Sequence, residues 1–166
     1  MKSVRTYDGT VLTPFFTKSF VFSNHFSSNF LVDGRVYHCT EQFYMFYKAL
    51  ISGDEEAAQK ILDLTQAWEI KRVGSNLRGH NQAVWRKICI LVMTIANWAK
   101  YTQNVELKRM LFATKGTLLV EATVRDNYWA SGADIGSRAL LDRANWKGRN
   151  VMGRILTAIR EKLLIE

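Results

Sequence analysis

Val84, Ile88, Leu91, Val92 and Ile95 recur at spacings i, i+4, i+7, i+8 and i+11, and no proline follows Pro14 to interrupt them. That is the period of one face of an α-helix. It predicts a helix from about Gln82 to Ala99, around which the remaining elements have to pack. Its uncharged run from Ile88 to Ala99 is too short to cross a bilayer, which takes ~20 apolar residues. It therefore reads as a buried helix, and no membrane partner is expected. The chain of 166 residues, 48% apolar with five tryptophans, can build one core of ordinary size. No Ser/Gly/Pro linker, low-complexity tract or internal repeat divides it, so residues 1–166 are expected to form a single domain with its core at about 15–165.

The first forty residues read as strand and turn. Phe15 to Phe22 is aromatic and β-branched, and Phe30 to His38 reads as a hairpin about Asp33-Gly34, a pair suited to the positive φ values of a primed turn. From Thr40 the pattern becomes helical. Thr40 is placed to cap a helix from Glu41 to Ile51 that Gly53 ends, and Asp54 to cap a second with Ala57, Ala58, Ile61 and Leu62 on one face. A short helix over Val105 to Ala113, a strand over Thr117 to Thr123 and a final helix from Asn150 to Leu164 complete the prediction. The expected fold class is α+β, mainly helical, with a small N-terminal β element.

No apolar segment or cleavage site at the N-terminus addresses the chain to a secretory route, and Cys39 and Cys89 have neither disulfide nor metal-ligand spacing. A cytoplasmic protein with reduced thiols, no metal and no obligate protein partner is expected. The net charge of +8 favours an anionic partner, nucleic acid or a nucleotide bearing phosphate, and serves solubility equally well.

Four segments set polar residues among aromatics. In Phe22-Ser23-Asn24-His25-Phe26 the polar side chains either reach a ligand or close their own turn. In Thr40 to Lys48, Glu41, Tyr44, Met45 and Lys48 fall at i, i+3, i+4 and i+7 and share a helix face. An acid early and a lysine late is ordinary helix design. Across a partly apolar wall it also moves either pKa toward neutrality. In Asp126-Asn127-Tyr128-Trp129-Ala130-Ser131-Gly132, Trp129 can stack on a heterocycle and Asp126 can accept from a ribose or base, or both can be core and turn. In Asn145-Trp146-Lys147-Gly148-Arg149-Asn150, Asn150 opens the last helix, whose free N–H groups make a phosphate site that Lys147 and Arg149 would strengthen.

In this order the four segments resemble the NADAR family, the YbiA-like N-glycosidases. Phe22 to Phe26 resembles the family's Ser-Asn-Phe segment with His25 interposed, and Thr40 to Met45 with Lys48-Ala49 its Glu-(His/Gln)-Tyr helix. Trp85 resembles the tryptophan opening its central helix, Asp126 to Trp129 with Gly132 its Asp-x-x-Trp-Gly region, and Gly148 to Gly153 its Gly-x-Asn-x-Leu-Gly. The chain departs from the family at Val73-Gly74-Ser75, where Leu-Gly-Arg is usual, at Ala130 in place of a glycine, and in a longer Ala133 to Arg143 stretch.

The resemblance implies cleavage of an N-glycosidic bond in a phosphorylated ribosyl compound, either ADP-ribosylated guanine, possibly within DNA or RNA, or a phosphoribosyl-aminopyrimidine of riboflavin synthesis. It implies no cofactor. Glu41 is the expected acid or base, and Lys48 lies near the anomeric carbon as a contact or a nucleophile. Asp126 is expected to be catalytic with Glu41 and Lys48 and to lie in the base and ribose pocket with Asn24, Tyr44, Trp85, Trp129 and Gly132, while Lys147, Gly148, Arg149 and Asn150 would hold the phosphate. Glu41, Lys48, Asp126 and Trp129 are expected to line one pocket. The competing class is a non-catalytic module that binds ADP-ribose or single-stranded nucleic acid by stacking and charge, for which a carboxylate at position 41 has no use. A basic structural protein with aromatics only in its core is a third.

Overall fold

The computed structural model describes residues 2–165 and bears out the mainly helical α+β class. In chain order its elements are β1 (Val4–Arg5), β2 (Val11–Phe15), β3 (Phe30–Val32), β4 (Arg35–Tyr37), α1 (Thr40–Ile51), α2 (Glu55–Asp63), α3 (Ala67–Gly74), α4 (Gln82–Gln103), α5 (Val105–Phe112), β5 (Leu118–Glu121), α6 (Arg138–Leu141) and α7 (Val151–Leu164). They fall into two compact units, Met1–Ser23 with Glu106–Glu166, and Asn24–Val105. No helix among the described residues is long and apolar enough to cross a membrane.

In the unit formed by both chain ends, β2 lies between β1, antiparallel to it, and β5, parallel to it, with Leu12 opposite Leu118 and Phe15 opposite Glu121. Helix α7 packs on β5 and buries Met152, Ile155, Leu156, Ile159 and Leu163. These positions recur with the helical period. The first core strand lies earlier than expected, at Val11–Phe15 rather than Phe15 to Phe22. Thr17 adopts a φ of 75°, and the N–H groups of Phe20 and Ser23 donate to the carbonyls of Thr17 and Phe20, so the chain curls where a strand was expected. Phe22 is buried all the same, edge-on to Phe15 at 5.6 Å between ring centroids.

In the Asn24–Val105 unit, β3 and β4 form the expected hairpin, with φ of 50° at Asp33 and 74° at Gly34. Asp54 caps α2 as expected, its carboxylate accepting from the Ala57 N–H at 3.2 Å. Thr40 does not cap α1. Cys39 holds the cap position without a side-chain bond, and Thr40, the first helical residue, donates its hydroxyl to the carbonyl and the side-chain oxygen of Asn24. Helix α3 had no sequence expectation. It is short, and its one fully buried apolar side chain, Ile70, gives no period to read.

Helix α4 covers the predicted span and runs on to Gln103, but its buried face is turned from the predicted stripe, of which Val92 alone is buried. Val84, Leu91 and Ile95 are 45%, 61% and 40% exposed, whereas Trp85, Cys89, Val92, Met93, Ala96 and Asn97 are buried. Small side chains at Cys89 and Ala96 suit the close packing of α4 on α1. Apolar count favoured one stripe, and fit against α1 selected its neighbour.

The α7–β5 contact depends on Gly153, where an added Cβ would come within 1.9 Å of the Leu119 carbonyl oxygen, a backbone atom that cannot turn aside. Gly153→Ala is expected to lower unfolding free energy in urea by about 3 kcal/mol, the upper part of the overpacking range. Exposed Ala158→Ser should stay within about 0.5 kcal/mol of the parent.

Candidate active site

Asn24 and the start of α1 are locked together. The Asn24 carbonyl accepts from the Glu41 N–H at 3.0 Å and from the Thr40 hydroxyl at 3.2 Å, and its side-chain oxygen accepts from the same hydroxyl at 2.9 Å. These bonds take up one of the donors that a helix start leaves open. They also hold His25, the residue after Asn24, beside Glu41. The Glu41 carboxylate is 7% exposed, and the ring Nε2 of His25 stands 3.7 Å from it. Burial, joined by repulsion from Lys71, holds the His25 pKa below its ordinary value.

Further along α1, Gln42 ties the helix to two neighbours. Its oxygen accepts from the His38 N–H, and its amide nitrogen donates to the carbonyls of Ile61, Leu62 and Leu64 at the end of α2. Lys48 donates to the Gly74 carbonyl at 2.8 Å. Burial lowers its pKa, and the charge of Glu41 partly opposes that, as expected for two residues on one helix face. Trp85 is 3% exposed and gives its indole N–H to the Tyr44 hydroxyl at 2.9 Å, the rings meeting edge-on. Trp85 thus braces Tyr44 from behind.

Sequence reasoning missed two groups in this unit, Lys100 and Gln42. Lys100 is completely buried, its ammonium 5.5 Å from the Phe26 ring centre and 5.3 Å from that of Tyr101, and burial brings its pKa down to about 7. Near the end of a helix a lysine looks like an ordinary charge on the dipole, so only the tertiary fold sets it apart. Cys39, raised by burial to a pKa of about 11, keeps its proton at neutral pH.

In the other unit, residues 126–131 and 148–152 are knitted together. The N–H groups of Gly148, Arg149, Asn150, Val151 and Met152 donate to the carbonyls of Ser131, Asn127, Ala130, Tyr128 and Trp129. This corrects the phosphate expectation at the start of α7, because the N–H groups of Val151 and Met152 serve the chain itself. Asn150 is fully buried in a left-handed conformation and does not cap the helix with its side chain. Its amide accepts from the Glu121 N–H and donates to the Leu119 carbonyl instead.

Asp126 accepts at 2.7 Å from the N–H groups of both Tyr128 and Trp129, so one of its oxygens sets the turn that presents Trp129. Gly148 is required by close approach, since a Cβ there would meet the Ala130 carbonyl oxygen at 2.3 Å. Lys147 and Arg149 are exposed, and the Arg149 guanidinium lies over the Tyr128 ring at 5.9 Å. Gly132 and Lys147 line a cavity of about 470 Å³ with Asn127, Asp134 and Trp146.

In the Asn24–Val105 unit, a buried carboxylate beside a histidine, with a desolvated lysine on the same helix, makes a constellation suited to acid–base and nucleophilic work. The NADAR domain family model matches residues 8–164, and the chain belongs to that family. It is 33% identical to Protein irg-1 of Caenorhabditis elegans, over 92% of this chain and 80% of that protein. It is 31% identical to an N-glycosidase of Acanthamoeba polyphaga mimivirus, over 86% of each. The NMR structure of the Escherichia coli protein YbiA superposes with a TM-score of 0.76 at 28% identity, over 93% of this chain and 85% of that one.

Lys100 makes stability depend on pH. Its folded pKa of about 7 lies below the ordinary lysine value of about 10.4, so between these the unfolded chain binds more protons and stability rises with pH. Thermal unfolding from pH 7 to 9.5 should show a rising midpoint, and Lys100→Met should flatten the rise.

Proposed function

We propose that this chain is a metal-independent N-glycosidase that hydrolyses the C–N bond between a base and a phosphorylated ribosyl group. The observation that carries this reading is Glu41, a carboxylate held at 7% exposure on the helix face that also bears Lys48, with His25 at 3.7 Å. Sequestering a carboxylate from water is costly, and a site that only bound phosphates would gain nothing from it. The naming of family relatives as N-glycosidases supports the same reaction class. The substrates proposed are ADP-ribosylated guanine in nucleic acid and phosphoribosyl-aminopyrimidines of riboflavin synthesis, and the place of action is the cytoplasm.

Breaking a ribosyl C–N bond builds oxocarbenium character on the sugar and negative charge on the base. Glu41 stabilises that cation and takes a proton from the attacking water. The depressed pKa of Lys48 favours a second route. In it the neutral amine attacks the anomeric carbon and the base leaves with the C–N electron pair, taking up one of the amine's protons. The nitrogen lone pair then breaks the ring C–O bond, whose oxygen takes the other proton, and water later hydrolyses the resulting open-chain imine. Trp129, presented by Asp126, is assigned to stacking on the base, and Lys147 and Arg149 to phosphate. Among the described residues no three His, Cys, Asp or Glu side chains are grouped to hold a metal ion.

Glu41→Gln is expected to lower kcat at least ~100-fold on whichever of the two substrates the parent cleaves, with little change in affinity. Trp129→Ala should instead weaken binding by ~1–3 kcal/mol. Normal turnover by Glu41→Gln at saturation would transfer the chemistry to another group, and binding without product release by the parent would favour the non-catalytic module. Borohydride added during turnover should fix the sugar to Lys48, detectable by mass spectrometry, if the imine route operates. Full activity after EDTA treatment and dialysis is expected, and loss restored by one metal would refute metal independence.

A further inference from the structure

Glu41 faces a difficulty that the proposed reaction does not resolve by itself. On the water route it gains a proton in every turnover, and a carboxylate only 7% exposed has little direct access to the solvent that must remove it. Resting on the N-glycosidase reading, we propose that His25 is the proton exit of Glu41, a positioning residue that takes this proton and delivers it to solvent.

Three observations carry the assignment. The His25 ring Nε2 is 3.7 Å from a Glu41 carboxylate oxygen, a gap that a small ring rotation or one water closes. The ring is one-third exposed, so it spans the step from the buried carboxylate to water. Its backbone position is not left to chance, since the preceding carbonyl, that of Asn24, holds the N–H of Glu41 itself.

The proton bookkeeping closes. As water attacks, its oxygen bonds to the anomeric carbon and the C–N electron pair departs with the base, which takes a proton from solvent. The water proton passes to Glu41, then to Nε2 of His25, and the imidazolium returns it to solvent. This requires the tautomer with its hydrogen on Nδ1. The charged and titratable groups around the pair act in a consistent sense. Burial disfavours the imidazolium first and Lys71 on α3 repels it further, both favouring proton release. The Glu41 carboxylate on α1, 3.7 Å from the ring, attracts it. Lys48 on α1 lies within the field of Glu41. Cys39 stays protonated before α1, and Lys100 on α4 lies against Phe26, the next residue after His25.

The test compares kcat against pH for the parent, His25→Gln and His25→Asn on the ADP-ribosylated guanine oligonucleotide and the phosphoribosyl-aminopyrimidine. A protonated His25 cannot accept, so parent turnover should fall as pH drops through the histidine pKa. Both variants should lose that limb and turn over about 10-fold more slowly at pH 7, with unchanged melting temperature. Added imidazole should restore turnover to His25→Ala. An unchanged profile in folded His25 variants, with Glu41→Gln inactive, overturns the proton exit and leaves the glycosidase reading standing. A parent inactive on both substrates overturns the two together. Independently of activity, the His25 ring titration followed by NMR should move to lower pH in Glu41→Gln, because the carboxylate charge that favours the imidazolium is gone, and an unmoved titration overturns the coupling.

Discussion

Strand β5 leaves the Glu121 N–H and the Leu119 carbonyl turned toward a helix rather than another strand, and the Asn150 amide closes on both. A backbone polar group removed from water has to find a partner, and an unmet one costs as much as a lost hydrogen bond. Asn150 meets that demand from a left-handed conformation immediately before α7 begins. The same demand recurs at the other end of α7. Buried Arg160 donates to the carbonyls of Thr114 and Thr117 ahead of β5, and also pairs with the exposed carboxylate of Glu161. Gly153 then lets α7 settle directly on the strand.

The Asn24–Val105 unit solves the corresponding problem at α1 with backbone and side chains of the preceding turn. Because Asn24 supplies the acceptor for the Glu41 N–H, the turn and the helix start are one structural piece. The candidate chemistry is built on that piece. Gln42, next in the chain, anchors it to the end of α2, so Glu41 stands between two fastened residues. A group held this way loses little entropy on reaching a reactive geometry, which is the usual requirement for preorganised catalysis.

What the sequence made legible was local. The Asp33-Gly34 turn, the Asp54 cap and the shared face of Glu41 and Lys48 each depend on residues within a few positions of one another. Asn150 was recognised as the opening of a helix, but its side chain answers to β5, some thirty residues earlier, and no local rule announces that. Lys100 shows the same limit, since its burial is set by Phe26 and Tyr101 rather than by its helix position. The motif residues of the site were found through family resemblance. Their duties as braces, in Trp85 behind Tyr44 and Asp126 behind Trp129, required the fold.

The turned face of α4 has a consequence for how copies of this protein meet. Val84, Leu91 and Ile95 present an apolar line to water on a molecule whose net charge is +8. Repulsion between like-charged copies acts over the Debye length, about 10 Å at 0.1 M salt and about 3 Å at 1 M. At low ionic strength the charge keeps those lines apart. Concentrated salt shortens the repulsion and strengthens apolar contact together, so colloidal behaviour in salt reports on a helix rotation of a single residue.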